Sequence, residues 1–325
     1  MIKLERITVI IVVFFSLFAC NEAEIPVEAN EAQQESTENL RYTDILDEQF
    51  NELSEEDFAY MYALPEYDPK ELALALEKES QKNVQNRCSE QVWGIGAGRT
   101  VWKWNGASWG QPNSAARLDI VEVSKNCDGS VWGIGKGATV WKWNGASWGQ
   151  PNPAARLIRI SVHSSNIAFG VAKNKTLFVT TNGGQNWAPF TNFQNAYWIS
   201  SGDYFNLLTA SNSSGELFKY DLFSYQMEPI MKPANTSIGS HTTMFGGGVW
   251  VVEGNYGNVY TSVDYINYIL PNSNNPNFNC ISTNDSQKAW ATSHLSRRVW
   301  KTTNSGVTWY QPNDAARLDY ISAAF

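Results

Sequence analysis

The chain has 325 residues, 43% of them hydrophobic, with a formal net charge of −8, which suffices for one large domain or two small ones around a real core. The charge is uneven: residues 21–80 hold 18 acids against three bases, whereas residues 81–325 hold 19 bases against 13 acids. A surplus of six cations over that body is too dilute for a nucleic-acid footprint and excludes nucleic acid as the expected partner.

The first twenty residues read as an export signal. Lys3 and Arg6 form a positive start, and the apolar run Ile7–Leu17 is too short to span a bilayer comfortably. The run ends in Leu-Phe-Ala-Cys, which resembles the lipobox of bacterial lipoproteins. That resemblance makes residues 1–19 a signal peptide and Cys20 the acylated first residue. A membrane anchor and a place in the cell envelope, at the outer membrane, follow as expectations. Residues 20–41 are acidic and poor in large apolar side chains, so they are expected to form a flexible tether.

Residues 42–84 read as helical. Ser54 opens a capping-box-like Ser-Glu-Glu-Asp, and Asp68-Pro69 sets an N-cap before a first-turn proline. Leu72, Ala75, Leu76 and Glu79 share one face of the following helix, which is expected to dock on the body. The acidic outer face reads as a solvated spacer or, less simply, a partner surface.

From Cys88 the pattern changes to short strands, glycine turns and aromatics. VWGIGAGRTVWKWNGASWGQPNSAARL at 92–118 returns at 131–157 with only three of 27 positions changed, at an offset of 39. A partial third copy, WYQPNDAARLDYIS, begins at Trp309. Self-similarity at a period near 40 signals stacked supersecondary units. Asn105-Gly106 and Asn144-Gly145 lie between short strand patterns and mark hairpins whose central residues tolerate positive φ. Four short strands per period make a propeller blade. A hairpin-closing aromatic followed by proline recurs at Trp109, Trp148, Trp187, Tyr225, Tyr268 and Trp309. The predicted fold is therefore all-β: a six-bladed β-propeller of four-stranded blades over residues 88–325. Its C-terminal strand, LDYISAAF, completes the first blade and closes the ring. The turns TTNGGQNW (180–187) and TTNSGVTW (302–309) resemble the Asp-box hairpins of sialidase-like propellers.

Little in the body points to catalysis. His163, His241 and His294 are scattered without ligand spacing, so neither a metal nor a cofactor is expected. The sequence assembles no arginine cluster and no carboxylate pair across a cleft, leaving a sialidase-like glycoside hydrolase as the lesser alternative. No catalytic residue is assigned. Cys88 and Cys127 occupy equivalent repeat positions, and an oxidising compartment lets them bridge if neighbouring blades bring their Cα atoms within about 7 Å. Cys280 is then a buried free thiol.

The tryptophans divide by position. Trp93, Trp102, Trp132 and Trp141 are expected in the core, wedging blade against blade. Trp104, Trp109, Trp143 and Trp148 flank the hairpins and are candidate platforms for the C–H face of a sugar, with packing as the simpler reading. The link QPNxAARL occurs at three junctions and repeats Asn113 and Arg117, Asn152 and Arg156, and Asn313 and Arg317. These pairs are either polar partners for glycan hydroxyls or structural, with arginine on backbone carbonyls and asparagine capping the turn.

WGQPNSAARLDIVEV followed by VWGIG and TVWKW is similar to the repeat of the tectonin family of β-propeller lectins, with Pro-Asn in place of the family's Pro-Gly. Gly96 and Gly135 replace its asparagine after Val-Trp-Gly-Val. The resemblance implies a non-catalytic carbohydrate-binding protein that holds glycan or lipopolysaccharide between blades. A protein-interaction scaffold in the cell envelope is the alternative.

Overall fold

The computed structural model describes residues 42–82, 89–126, 128–190, 195–201, 207–211, 215–221, 226–234, 236–243, 248–254 and 256–325. The signal peptide, Cys20, the tether to residue 41, Cys88, Cys127 and Tyr225 lie outside these residues.

Among the described residues three α-helices come first: α1 (Tyr42–Asn51), the one-turn α2 (Ala59–Tyr62) and α3 (Pro69–Lys82). Their starts follow the capping chemistry of the sequence. Ser54 N–H donates to Asp57 Oδ2 at 2.8 Å and Asp57 N–H to Ser54 Oγ at 3.3 Å, so Asp57 supplies the reciprocal half of the box. Asp68 Oδ1 accepts from Lys70 N–H at 2.9 Å ahead of α3. The apolar face of α3 is turned inward, with Leu72, Leu76 and Glu79 buried and Glu79 Oε1 accepting from Asn166 Nδ2 at 3.1 Å.

Twenty-two strands follow, and among the described residues they form six antiparallel sheets. The first sheet is β1 (Gln91–Gly96), β2 (Thr100–Trp104) and β3 (Trp109–Gly110), with β22 (Tyr320–Ala324) on its inner side. Trp93 pairs with Ser322 and Ile95 with Tyr320, so the C-terminal strand does complete the sheet begun by the first strand. The next sheets are β4 (Ile120–Val123) to β7 (Trp148–Gly149), β8 (Arg159–Val162) to β11 (Ala188–Pro189), and β12 (Trp198–Ser201) to β15 (Gln226–Ile230). The last two run from β16 (Ile238–Thr243) to β18 (Val259–Ser262) and from β19 (Phe278–Ser282) to β21 (Val299–Thr302). Inner strand meets inner strand in succession, β22 with β4, then β8, β12, β16 and β19, which returns to β22.

The expectation of four strands in every blade needs correction. Four sheets have four strands, but the last two have three, their outermost element reduced to the single bridges Thr261–Ile269 and Lys301–Tyr310. Outer strands are only two residues long even in the complete first and second sheets, because Pro112 and Pro151 follow and lack the N–H to extend a ladder. Losing one further pair leaves a bridge.

The hairpin reading holds with a different cause. Gly106 and Gly145 take the left-handed conformation, φ +100° and +101°, while the asparagines act through their side chains. Asn105 Oδ1 accepts from Ser108 N–H at 2.8 Å, and Asn144 Oδ1 from Ser147 N–H at 2.8 Å.

Aromatic edges join sheet to sheet. The hairpin-closing Trp148 meets Trp93 of the preceding sheet at 6.0 Å and 85°. Trp187 meets Trp132 at 6.3 Å, Trp309 meets Trp250 at 6.4 Å, and Trp109 meets Trp290 across the ring closure at 6.0 Å. Such edge-to-face pairs add roughly 0.5–1.5 kcal/mol each beyond their burial.

Candidate functional site

The three QPNxAARL links fold alike. Asn113, Asn152 and Asn313 Oδ1 accept from the amides of Ala115, Ala154 and Ala315 at 2.9–3.0 Å, capping the turn. Arg117 Nη1 donates to the carbonyls of Ser114 (2.7 Å) and Ala116 (2.8 Å). Arg156 does the same to Pro153 (2.6 Å) and Ala155 (3.0 Å), and Arg317 to Asp314 (2.6 Å) and Ala316 (2.9 Å). Both residue types thus have the structural role weighed from the sequence. Each also keeps unspent donors: among the described residues no bond engages the Nδ2 of Asn113 or Asn313, or the Nη2 of Arg117 or Arg317.

Leu118 and Leu318, which end two of the links, are buried on the next sheet. A Cβ on Gly94 would stand 2.5 Å from Leu318 Cδ1 and 2.9 Å from the Tyr320 carbonyl, and Gly133 stands in the same relation to Leu118. Glycine in Val-Trp-Gly-Ile is what allows the leucine to seat and the link to lie close. Arg99 donates from Nη2 to Asp119 Oδ2 at 2.7 Å beneath one link, and Arg297 to Asp319 Oδ2 at 2.6 Å beneath another. Burial raises both carboxyls above their usual range, and the guanidinium beside each opposes the rise.

Between the link at 313–318 and the first sheet lies a cleft of about 500 Å³. It is lined by Thr100, Trp102, Trp109, Gln111, Asn313 and Arg317 among others, an apolar floor with convergent polar groups. The Trp102 indole is half-buried, donates from Nε1 to Thr100 Oγ1 at 2.9 Å and rests over Gly96, where a Cβ would meet Nε1 at 2.7 Å. This contact accounts for glycine at 96 and 135. The next junction repeats these residue types with Thr139, Trp141, Trp148, Gln150, Asn113 and Arg117, and Trp141 Nε1 bonds Thr139 Oγ1 at 2.8 Å.

Two placements differ from expectation. Trp104 is only 8% exposed, packed on Trp109 and Trp290, and Trp143 and Trp148 turn toward Trp93. These three serve the joints between sheets, and of the four hairpin tryptophans Trp109 lines the cleft. Trp102 and Trp141, expected in the core, are instead the half-buried indoles at the grooves. Their signal was the threonine two residues earlier and the glycine six earlier, which together hold an indole flat on the surface.

The third junction is covered. Asn152 Nδ2 donates to the Tyr60 hydroxyl at 3.0 Å and to the Gln185 carbonyl at 2.9 Å. Asn174 N–H donates to Tyr62 Oη at 3.1 Å, and Lys173 Nζ donates to the Asn51 and Leu53 carbonyls.

A central cavity of about 20 Å³ has room for little more than a water. Its polar lining knits the ring. Glu122 accepts from Tyr320 Oη (2.5 Å) and Ser322 Oγ (3.0 Å), and Lys125 Nζ donates to Ser282 Oγ (3.0 Å) and the Ala323 carbonyl (2.9 Å). Cys280 is free and buried there, its thiol pushed up to about 12 by burial. Among the described residues no group of three or more His, Cys, Asp or Glu side chains could hold a metal ion.

Fold and grooves together define an all-β propeller of small antiparallel sheets with a recess between a link and the next sheet. Residues 81–201 match the tectonin domain. Comparison with the curated proteins returns no match. Among solved structures, a chain of the nidogen/laminin complex is similar with TM-score 0.59 at 9% identity, covering 73% of this chain and 99% of that one. YCF48 from Cyanidioschyzon merolae gives TM-score 0.48 at 16% identity, covering 70% and 83%. Virginiamycin B lyase from Staphylococcus aureus gives 0.47 at 15%, covering 70% and 86%. At such identities the likeness is one of fold.

Proposed function

We propose that this protein is a non-catalytic, lectin-like module whose open inter-blade links present glycan-binding grooves, carried on a lipid-anchored bacterial envelope protein. The observation that supports it is the 500 Å³ cleft in which the repeated Asn-Arg pair faces an indole floor. A sugar stacks its C–H face on Trp102 while its hydroxyls meet Asn313 Nδ2, Gln111 and Arg317, the division of labour expected of a small-ligand pocket. Two like grooves give weak sites that gain avidity on a polyvalent surface such as lipopolysaccharide. Cys20 supplies the anchor and the acidic segment after it the spacing.

A second reading, a protein-interaction scaffold, is favoured by the third groove, where the chain's own helical segment already sits on the link. The similar chain in the nidogen/laminin complex belongs to a protein–protein assembly. Glycan-array binding by the full chain separates the two. Signal above a heat-unfolded control supports the lectin reading, and a blank array with capture of an envelope protein transfers the grooves to the scaffold reading.

A further inference from the structure

We infer that the two open grooves take an acidic sugar, a ring hydroxyl on the asparagine Nδ2 and a carboxylate toward the arginine, and that residues 54–62 occupy the third groove in its place. The inference rests on the carbohydrate-binding reading and names the ligand class. Its starting point is a difference in burial between copies of one loop. Arg117 and Arg317 are exposed and Arg156 is half-buried, while Ala116 and Ala316 are half-buried and Ala155 is fully buried. The loops are otherwise alike, so something covers the third.

What covers it is chemically informative. The free donor of the loop, Asn152 Nδ2, has found a hydroxyl, that of Tyr60. Asp57, three residues earlier, carries its carboxylate in the field of the same loop's arginine. The carboxyl is held below its usual range by the Ser54 hydrogen bonds first, with Arg156 and Lys173 adding to the effect. The occupant therefore offers a hydroxyl to the asparagine, while the exposed Arg117 and Arg317, each with an unspent Nη2, call for an anion in the open grooves. In the open grooves the same donors stand free, and a small molecule satisfying both carries a hydroxyl near a carboxylate on a compact ring. Trp102 and Trp141 add an apolar floor that the third groove lacks, since blade three has the buried Phe178 at the equivalent strand position. The two open grooves are not equal. The Arg117 groove has Lys136 and Ser114 where the Arg317 groove has Ala97 and Asp314, so it is the more cationic and fills first.

Crystals of the full chain soaked separately with the methyl glycosides of glucuronate, galacturonate and N-acetylneuraminate, and with methyl glucoside and methyl galactoside, test this. An acidic probe should appear beside Asn113 and Asn313 and not beside Asn152. In solution titration it should bind about tenfold more tightly than its neutral counterpart, the preference of a charge-assisted hydrogen bond. Arg117→Gln with Arg317→Gln should weaken the acidic probe far more than its neutral counterpart and so bring the two affinities together. Tyr60→Ala, or Asp57→Asn where the first fails to fold, should admit the probe to the third groove. Neutral sugars binding as tightly as acidic ones, or an acidic probe beside Asn152 in the unaltered chain, would overturn the inference and leave the lectin reading standing. Empty grooves with every probe, together with a blank array, would remove both.

Discussion

Gly133 has no room for a side chain: a Cβ would stand 2.5 Å from Leu118 Cδ1 and 2.8 Å from the Ile120 carbonyl, and the second contact is backbone. Gly133→Ala should therefore cost about 1–3 kcal/mol through overpacking. Gly110→Ala, which meets nothing within 4 Å, should stay within about 0.5 kcal/mol. Thermal melts of the two variants check the contrast, and equal losses would contradict the close seating of leucine on glycine. One of the three differences between the two long repeats is legible on the same scale. Arg99 pairs with Asp119 under its link, whereas the second copy has Ala138 followed by Ile158, so the charge was removed from both partners together. Trp102 reads as core in the sequence because strand alternation assigns it a face without saying what lies opposite. The open groove decides that, and it is a property of the neighbouring link. Cys280 was legible as a buried thiol. Pushed up to about 12 by burial, it should resist alkylation at neutral pH in the native chain and react on unfolding, as peptide mapping would show.

The helical segment is an element whose ends could be read and whose place could not. Ser54, Asp57 and the Asp68-Pro69 pair are local signals and produced the turns they encode. The partners of α1 and α2 are more than 90 residues away in sequence, as with Tyr60 and Asn152, and nothing in a local pattern specifies them. Lys173 donating to the carbonyls of Asn51 and Leu53 is likewise a meeting of distant segments. Tyr60→Phe removes one hydroxyl partner and should cost about 1 kcal/mol. Amides of residues 56–62 should exchange faster in that variant than in the parent, while those of the β1–β2 ladder stay protected. Equal exchange would mean that the hydroxyl does not hold the segment on the link. The shortened outer strands of the last two sheets escaped the sequence for a related reason. Each is two residues or fewer, below the length at which alternation carries information.

At the scale of the molecule the ring is clasped by charge taken out of water. Burial raises Glu122 above the usual carboxylate range against the pull of Lys125, and burial raises Asp119 and Asp319 likewise. A carboxyl whose folded value exceeds its unfolded one binds its proton more tightly in the native state. Its contribution is full below the unfolded value and lost as pH rises through the folded one. Asp264 and Asp57, held low by turn hydrogen bonds, lose theirs only below about pH 4. Tm should therefore fall as pH rises above the unfolded carboxylate range near about 4. Glu122→Gln should flatten that dependence, because the buried titrating carboxyl is gone; a parent Tm that rises with pH there would contradict the clasp. The C-terminal strand was legible because its sequence repeats that of the inner strands. The position of each groove followed from the same repeat, while its openness depended on a helical segment outside it. The central claim is that the free asparagine amides of the open grooves bind ligand. Asn113→Asp with Asn313→Asp keeps the Oδ1 that caps each turn and replaces the Nδ2 donor with a charged acceptor oxygen, so the titrant must carry no charge of its own. Titrated with the strongest neutral glycan of the array, the double variant should lose at least about tenfold in affinity with Tm unchanged. Unchanged affinity would contradict the account.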